Sequence, residues 1–213
     1  STGKGKTIAN AKIMQALSPS ADSLRYILAL GLRTLTLQTG DSYRNDIGLG
    51  NDELAVLIGS KAVQELHHKN MQKKDEIEND FAEIGSESLE QLLDNELDYE
   101  AMPQADFMNA LFPLNQAERN KAFLYKPVLA CTIDHIMSAT ETKRGGKYIL
   151  PCLRLLSSDL VIDEVDDFNG QDLIAIARLV HLTGMLGRKV MISSATIPPA
   201  LAEGFFNAYQ QGW

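Results

Sequence analysis

Cysteine is scarce in this chain of 213 residues, with Cys131 and Cys152 its only two. Their spacing is that of neither a metal-ligand pair nor a redox motif, so we expect two buried thiols in a reducing compartment. No apolar run approaches the ~18 residues that a membrane span needs. The opening Ser1-Thr2-Gly3-Lys4 offers no apolar segment of the kind a signal peptide requires. A cytoplasmic protein without a membrane partner is therefore the expectation. There are no internal repeats. An excess of basic charge is also missing: the formal net charge is −8. That deficit is local, however. Residues 41–120 hold 18 acidic and 6 basic side chains, and the remainder hold 10 and 14. The segments outside the acidic stretch are mildly basic, which permits a phosphate-bearing partner without demanding one.

What the chain does have is a series of short apolar runs set between helical patterns. They are Leu24–Leu30, Leu54–Ile58, Pro127–Cys131, Asp159–Ile162 and Lys189–Ser193. Each is of strand length, nearly continuous in apolar residues, and ends in small or polar ones. Such runs suit strands covered on both faces, and their alternation with helices predicts a parallel sheet of α/β type. Helices are expected at Lys6–Leu17, Leu173–Gly187 and Pro199–Tyr209. His181 lies within the second of these and reads as a helix histidine with its hydrogen bonds satisfied. Between Gly59 and Pro127 there is far more chain than one crossover helix requires. The stretch Ala62–Leu97 is charged and helix-prone, with Phe81, Ile84, Leu89, Leu92 and Leu93 forming a partial apolar stripe. It reads as a helical insertion at one edge of the sheet. His67-His68 reads as surface.

Asp163-Glu164-Val165-Asp166 directly follows the apolar run Leu160-Val161-Ile162. Carboxylates at the end of a core strand are costly unless they meet a cation or do chemistry. A phosphate-binding loop supplies both, and Gly3-Lys4-Gly5-Lys6-Thr7 has its text. Glycines let backbone N–H groups curl around phosphate oxygens, and the helix that follows offers its positive end. Lys6 would reach the β and γ phosphates of a nucleoside triphosphate, and the Thr7 hydroxyl would ligate Mg2+. Asp163 would hold that magnesium, and Glu164 would orient and activate the attacking water. The competing readings are a Gly-Lys tail and a loop of solvated carboxylates; Asp167 fits the latter. The pattern G-x-x-x-x-G-K-[ST] would place its first small residue one position before Ser1. We therefore expect a fragment that begins inside the motif, its preceding strand outside this sequence.

Ser194-Ala195-Thr196 ends the next strand, where hydroxyls would bond Asp166 and couple the nucleotide site to a polymer-binding surface. A plain strand end running into Pro198-Pro199 is the alternative. Three further elements suit a nucleic-acid backbone: Arg33 in Gly31–Gln38, Thr132 in Cys131–His135, and Arg144 in the basic loop Lys143–Lys147. Helix starts and a surface turn are the bland readings of the same segments.

In this order the phosphate loop, G-L-R-T-L-T-L-Q, V-L-A-C-T-I-D-H, D-E-V-D and S-A-T resemble motifs I, Ia, Ic, II and III of superfamily 2 helicases. The finer text narrows the resemblance. Tyr125–Thr142 (Y-K-P-V-L-A-C-T-I-D-H-I-M-S-A-T-E-T), Arg144-Gly145-Gly146 and the run Ser158–Trp213 resemble the CRISPR-associated helicase-nucleases of type I-F systems. The resemblance covers essentially the whole chain and corresponds to one lobe. It implies that residues 1–213 are the first RecA-like lobe of a P-loop NTPase, with residues 62–124 as an acidic helical insertion. It also implies an ATP-driven motor on single-stranded DNA in a prokaryotic cytoplasm. Such a motor would be recruited by an RNA-guided surveillance complex and would contact an integrase. No His-Asp metal cluster appears in the sequence, so nuclease activity is not assigned to these residues. The second lobe, with its arginine finger, is not in this sequence either. That finger is worth roughly 10³–10⁵ in rate in related NTPases, so the chain alone should hydrolyse ATP poorly. Three alternatives stay open: a docking module with a degenerate nucleotide site, a different P-loop NTPase such as a nucleotide kinase, and an insertion that serves mainly as a docking surface.

Overall fold

A computed structural model describes residues 4–18, 24–31, 33–57, 117–140, 148–168 and 170–213. Gly3, residues 62–116 with His67 and His68, and the loop holding Arg144 lie outside the described residues. Five strands form one all-parallel sheet: β1 (Tyr26–Leu30), β2 (Leu54–Leu57), β3 (Val128–Thr132), β4 (Asp159–Asp163) and β5 (Val190–Ser193). They lie in the order β2-β3-β1-β4-β5. Every predicted apolar run supplies one of these strands, with ends displaced by a residue or two. The parallel α/β class is the one the runs predict.

Among the described residues, seven helices accompany the strands. They are α1 (Lys4–Leu17), α2 (Arg33–Ser42), α3 (Ala117–Tyr125), α4 (Asp134–Met137), α5 (Ile149–Leu156), α6 (Gly170–Met185) and α7 (Pro199–Gly212). A π-helical turn, Tyr43–Ile47, prolongs α2 and stops at Gly48, whose φ of 85° is glycine territory. Helix α7 opens on Pro199, whose fixed φ suits a first turn and whose missing N–H would have no helical partner anyway. Of the proposed insertion, residues 117–124 fall inside α3.

Side chains alternate across the strands and build two apolar layers. Ile27, Ala29, Leu129, Cys131, Leu160 and Ile162 face Ile136, Leu155, Ile176, Leu179, Val180 and Phe205 from α4 to α7. On the opposite face, Tyr26, Leu28, Leu30, Ala130 and Val161 meet Ala11 and Met14 of α1 and Tyr43 of the π turn. Central strands β1 and β3 are buried throughout, whereas β5, an edge of the described sheet, is half-exposed along its length. Val190 and Ile192 still pack on one layer and Met191 on the other, so β5 is covered on both faces, but less deeply than the central strands. Cys131 is buried, and burial pushes its thiol up to about 12. Cys152 is only half-buried, against expectation, because it sits on the rim of α5 with its thiol 3.6 Å from the Ala139 carbonyl. His181 donates from Nδ1 to the Ala208 carbonyl at 3.1 Å, tying α6 to α7 as a satisfied helix histidine.

At the opposite edge of the sheet from the acidic box, two guanidiniums close the end of α3. Arg154 donates to the carbonyls of Leu124, Lys126, Pro127 and Tyr26, and Arg25 to those of Leu124, Tyr125 and Lys126 and to the Ser157 hydroxyl. A helix C-terminus carries unsatisfied carbonyls and partial negative charge, which is what two cations need.

Candidate nucleotide site

Strand register brings the motifs to one edge. Leu30 pairs with both Thr132 and Asp163, and Asp163 pairs with Ser193. The chain leaving β1, β3, β4 and β5 therefore emerges side by side at the carboxyl end of the sheet, where open α/β sheets bind ligands. The first turn of α1 lies against this edge. Lys4 and Gly5 belong to that turn, so α1 begins two residues earlier than predicted.

Lys6 is the hub. Its ammonium lies 2.7 Å from Asp163 Oδ1 and 2.8 Å from Glu164 Oε1. The three side chains are partly to nearly buried, with exposures of 26% for Lys6, 8% for Asp163 and 29% for Glu164. Burial works against the Lys6 charge, but hydrogen bonds to the two carboxylates and their negative charge outweigh it, and the ammonium is held above its ordinary value. Glu164 takes a left-handed backbone, φ 55° and ψ 50°. That conformation costs a non-glycine residue about 1 kcal/mol. Its N–H donates to Asp163 Oδ1 at 3.0 Å. The kink carries the Glu164 carboxylate to the same ammonium as Asp163, which an extended strand would not do for adjacent residues.

Asp166 is exposed and tied to the neighbouring strand end. Ser194 Oγ donates to Asp166 Oδ1 at 2.6 Å, and Thr196 Oγ1 to Oδ2 at 3.4 Å. The Ser194 hydroxyl bond, before any other cause, holds the Asp166 carboxyl below its usual range. Ala195 lies between the two hydroxyls and is exposed. Thr7 follows Lys6 in α1 and is half-buried. Arg33 is the first residue of α2. Thr132 ends β3 at 1% exposure, its hydroxyl buried without a hydrogen-bond partner among the described residues. The N–H that follows it, on Ile133, is already donated to the Leu30 carbonyl. The structure thus brings together Lys6, Asp163 and Glu164 as one group and Asp166, Ser194 and Thr196 as another. Thr132 stands buried at the end of β3, in neither group.

Two contacts were missed in the sequence. Asn10, 3% exposed, donates from Nδ2 to Asp163 Oδ2 at 3.4 Å. An asparagine inside a helix, one turn after the lysine, was the available signal, because asparagine competes with helical backbone and needs a reason to be there. Phe168, after the short 3-10 turn Val165–Asp167, packs its ring on Gly31 so closely that a Cβ there would stand 2.8 Å from Cζ.

The oxygen set fits a hard divalent cation. Asp163 and Glu164 already converge on one positive charge, the Lys6 ammonium, which stands where such an ion would be drawn. Magnesium characteristically takes one or two carboxylates and completes its shell with phosphates and water. No group of three His, Cys, Asp or Glu side chains suited to a metal occurs among the described residues.

The order of the parallel strands, with a helix-borne lysine meeting the acidic end of a core strand, defines a RecA-like α/β domain. Comparison with known proteins gives the family. The chain is 47% identical over 218 aligned residues to the CRISPR-associated nuclease/helicase Cas3 subtype I-F/YPEST of Pseudomonas aeruginosa, and 48% identical over 212 to that of Pectobacterium atrosepticum. Both alignments take in 100% of this chain and 19% of the relative. The chain belongs with the Cas3 nuclease/helicases of subtype I-F and spans about a fifth of their length. Among solved structures, T. fusca Cas3-ATP matches with a TM-score of 0.63 and 18% identity, over 99% of this chain and 20% of that one. A chain of a CRISPR RNA-guided surveillance complex, pre-nicking, matches with a TM-score of 0.52 and 17% identity, over 99% of this chain and 17% of that one. These likenesses show the fold. No protein-family model matches the chain. No helix among the described residues is long and apolar enough to cross a membrane.

Proposed function

We propose that this chain is the first RecA-like lobe, residues 1–213, of an ATP-hydrolysing translocase on single-stranded DNA, acting in a CRISPR interference nuclease/helicase. The observation that carries the reading is Lys6 bridging Asp163 and Glu164 at 2.7 and 2.8 Å. That arrangement is what a phosphate-binding lysine and an acidic box adopt when each is the other's nearest counter-charge. When ATP is the substrate, the Lys6 ammonium turns from the carboxylates to the β and γ phosphates, and Lys4 and Gly5 lend N–H groups at the start of α1, with Gly3 assigned to the same phosphates. Thr7 and Asp163 would hold Mg2+, which when bound neutralises charge on the phosphates. Glu164, released by Lys6, accepts a proton from the attacking water. Asp166 reports the state of the site to the strand end through Ser194 and Thr196, with Ala195 between them. Arg33 and Arg144 are assigned to DNA phosphates. Thr132 joins them only if its strand end opens. A Cas3-type role implies recruitment by an RNA-guided surveillance complex and contact with an integrase.

The test is phosphate release by the full-length protein with and without single-stranded DNA. We expect DNA-stimulated turnover that falls about 10²–10⁴-fold in Glu164→Gln and is also lost in Lys6→Ala. Turnover indifferent to DNA would replace this reading with another P-loop NTPase. Motor activity that survives Glu164→Gln would leave only a docking module with a degenerate site.

A further inference from the structure

Asp163 offers two oxygens, and the structure treats them differently. Oδ1 meets the Lys6 ammonium and the Glu164 N–H. Oδ2 meets the Asn10 amide, one helical turn beyond Lys6 on α1. Asn10 is almost fully buried and the bond is side chain to side chain across 153 residues of sequence. It is therefore no local helix contact. A carboxylate's final torsion is broad and easily turned, so once Lys6 departs for a phosphate the Asp163 orientation rests on the Glu164 N–H at Oδ1 and the Asn10 amide at Oδ2.

We infer that Asn10 is a positioning residue for the nucleotide site: its amide holds Asp163 Oδ2 so that Oδ1 faces the metal position when Lys6 leaves. The inference rests on the ATPase reading above. Lys6 and Asn10 stand four residues apart, on one face of α1. The helix that carries the phosphate-binding lysine thus also carries the group that orients the acidic box. A shift of α1 on nucleotide binding moves the Asn10 amide with it and turns the Asp163 carboxylate in step. At 3.4 Å the bond is long, as hydrogen bonds of unliganded sites often are before they tighten around the substrate complex. Asparagine can do this where aspartate cannot, because only the amide has a hydrogen to donate to a carboxylate.

The test compares Asn10→Ala and Asn10→Ser in the full-length protein, with Glu164→Gln as a control. Two readouts are used. One is steady-state ATP hydrolysis on single-stranded DNA. The other is affinity for a non-hydrolysable ATP analogue with Mg2+ and with EDTA. For Asn10→Ala we expect kcat to fall about tenfold or more with KM nearly unchanged, the loss that an oriented bond to a charged group commands. The gain in analogue affinity that Mg2+ provides should shrink, while affinity in EDTA and the thermal midpoint hold. Asn10→Ser keeps a donor and should recover part of the magnesium-dependent gain. An unchanged kcat and an unchanged magnesium-dependent gain in Asn10→Ala overturn the role. So does an equal loss in Asn10→Ala and Asn10→Ser that follows the thermal midpoint, which marks a packing residue. If hydrolysis survives Glu164→Gln, the ATPase reading falls and Asn10's role falls with it. Hydrolysis lost in Glu164→Gln but intact in Asn10→Ala overturns Asn10 alone.

Discussion

Removing the Lys6 ammonium would leave Asp163, with a side chain only 8% exposed, holding its charge on one backbone N–H and the Asn10 amide. A nearly buried carboxylate stripped of its cation is destabilising, whereas neutralising both partners is far less so. We therefore expect Lys6→Ala and Asp163→Asn to be strongly non-additive in urea unfolding, with a coupling of about 1 kcal/mol after solvent screening at the half-open side. Additivity within error would mean that the pair contributes nothing. The pH dependence has a definite sign. Lys6 is raised above its ordinary 10.5, so its contribution is fully present below that value and is lost as pH climbs through the folded one. Asp166 behaves oppositely. Its carboxyl is lowered from 3.8, chiefly by the Ser194 hydroxyl. Its contribution is therefore present above 3.8 and lost as pH falls through the folded value. A carboxyl-carbon titration should show the Asp166 midpoint rising in Ser194→Ala. An unmoved midpoint would show that the 2.6 Å bond does not persist in solution.

Between elements, the contact of Phe168 with Gly31 joins the segment after the acidic box to the segment after β1. Gly31 is not held at positive φ, so alanine there is opposed by the ring and not by the backbone. Gly31→Ala would put a methyl 2.8 Å from Phe168 Cζ and 3.2 Å from both Cε atoms, and overpacking of this kind costs about 1–3 kcal/mol. We expect Gly31→Ala to lower the thermal midpoint and Phe168→Leu, in the same chain, to restore most of it. A double variant as unstable as Gly31→Ala alone would place the cost elsewhere. The strands that flank this contact were legible in the sequence because nearly continuous apolar runs leave no other burial. Their order was not, since an apolar run carries no mark of its neighbour. The helices α4 and α5, at four and eight residues, escaped because so few turns show little periodicity. Lys6, Asp163 and Glu164 could be picked out from motif text, but the left-handed turn at Glu164 and the Asn10 bond could not. The Asn10 bond joins residues 153 positions apart, and a left-handed residue that is not glycine leaves no mark in the text. The burial of Thr132 was hidden for the converse reason, because motif text does not say how deep a strand end lies.

Over the whole molecule, the two edges of the sheet do opposite work: the carboxyl edge gathers the acidic box and its lysine, and the other edge gathers Arg25 and Arg154. Arg154 is fully buried, and burial together with the nearby Arg25 charge pushes it down to about 9. It remains a cation because its donors bridge the carbonyls of Tyr26, Leu124, Lys126 and Pro127. Those carbonyls belong to β1, the end of α3 and the entry to β3. One side chain thus fastens the last turn of the 62–124 stretch to the centre of the sheet. Replacing it with methionine keeps the bulk but removes these bonds, while Arg25 still serves Leu124 and Lys126 and the Tyr26 N–H still serves Pro127, a loss of about 1–3 kcal/mol for buried acceptors left short of a donor. Arg25→Met should cost less, because Arg25 is only half-buried and its removal relieves the repulsion on Arg154. The two changes together should cost more than their sum, since either guanidinium still serves the Leu124 and Lys126 carbonyls when the other is gone, and their mutual repulsion is relieved only once. Urea unfolding of the three variants reads all of this at once. If Arg154→Met unfolds within about 1 kcal/mol of the parent, a difference ordinary surface changes approach, the carbonyls find other donors and Arg154 does not hold α3 to the sheet.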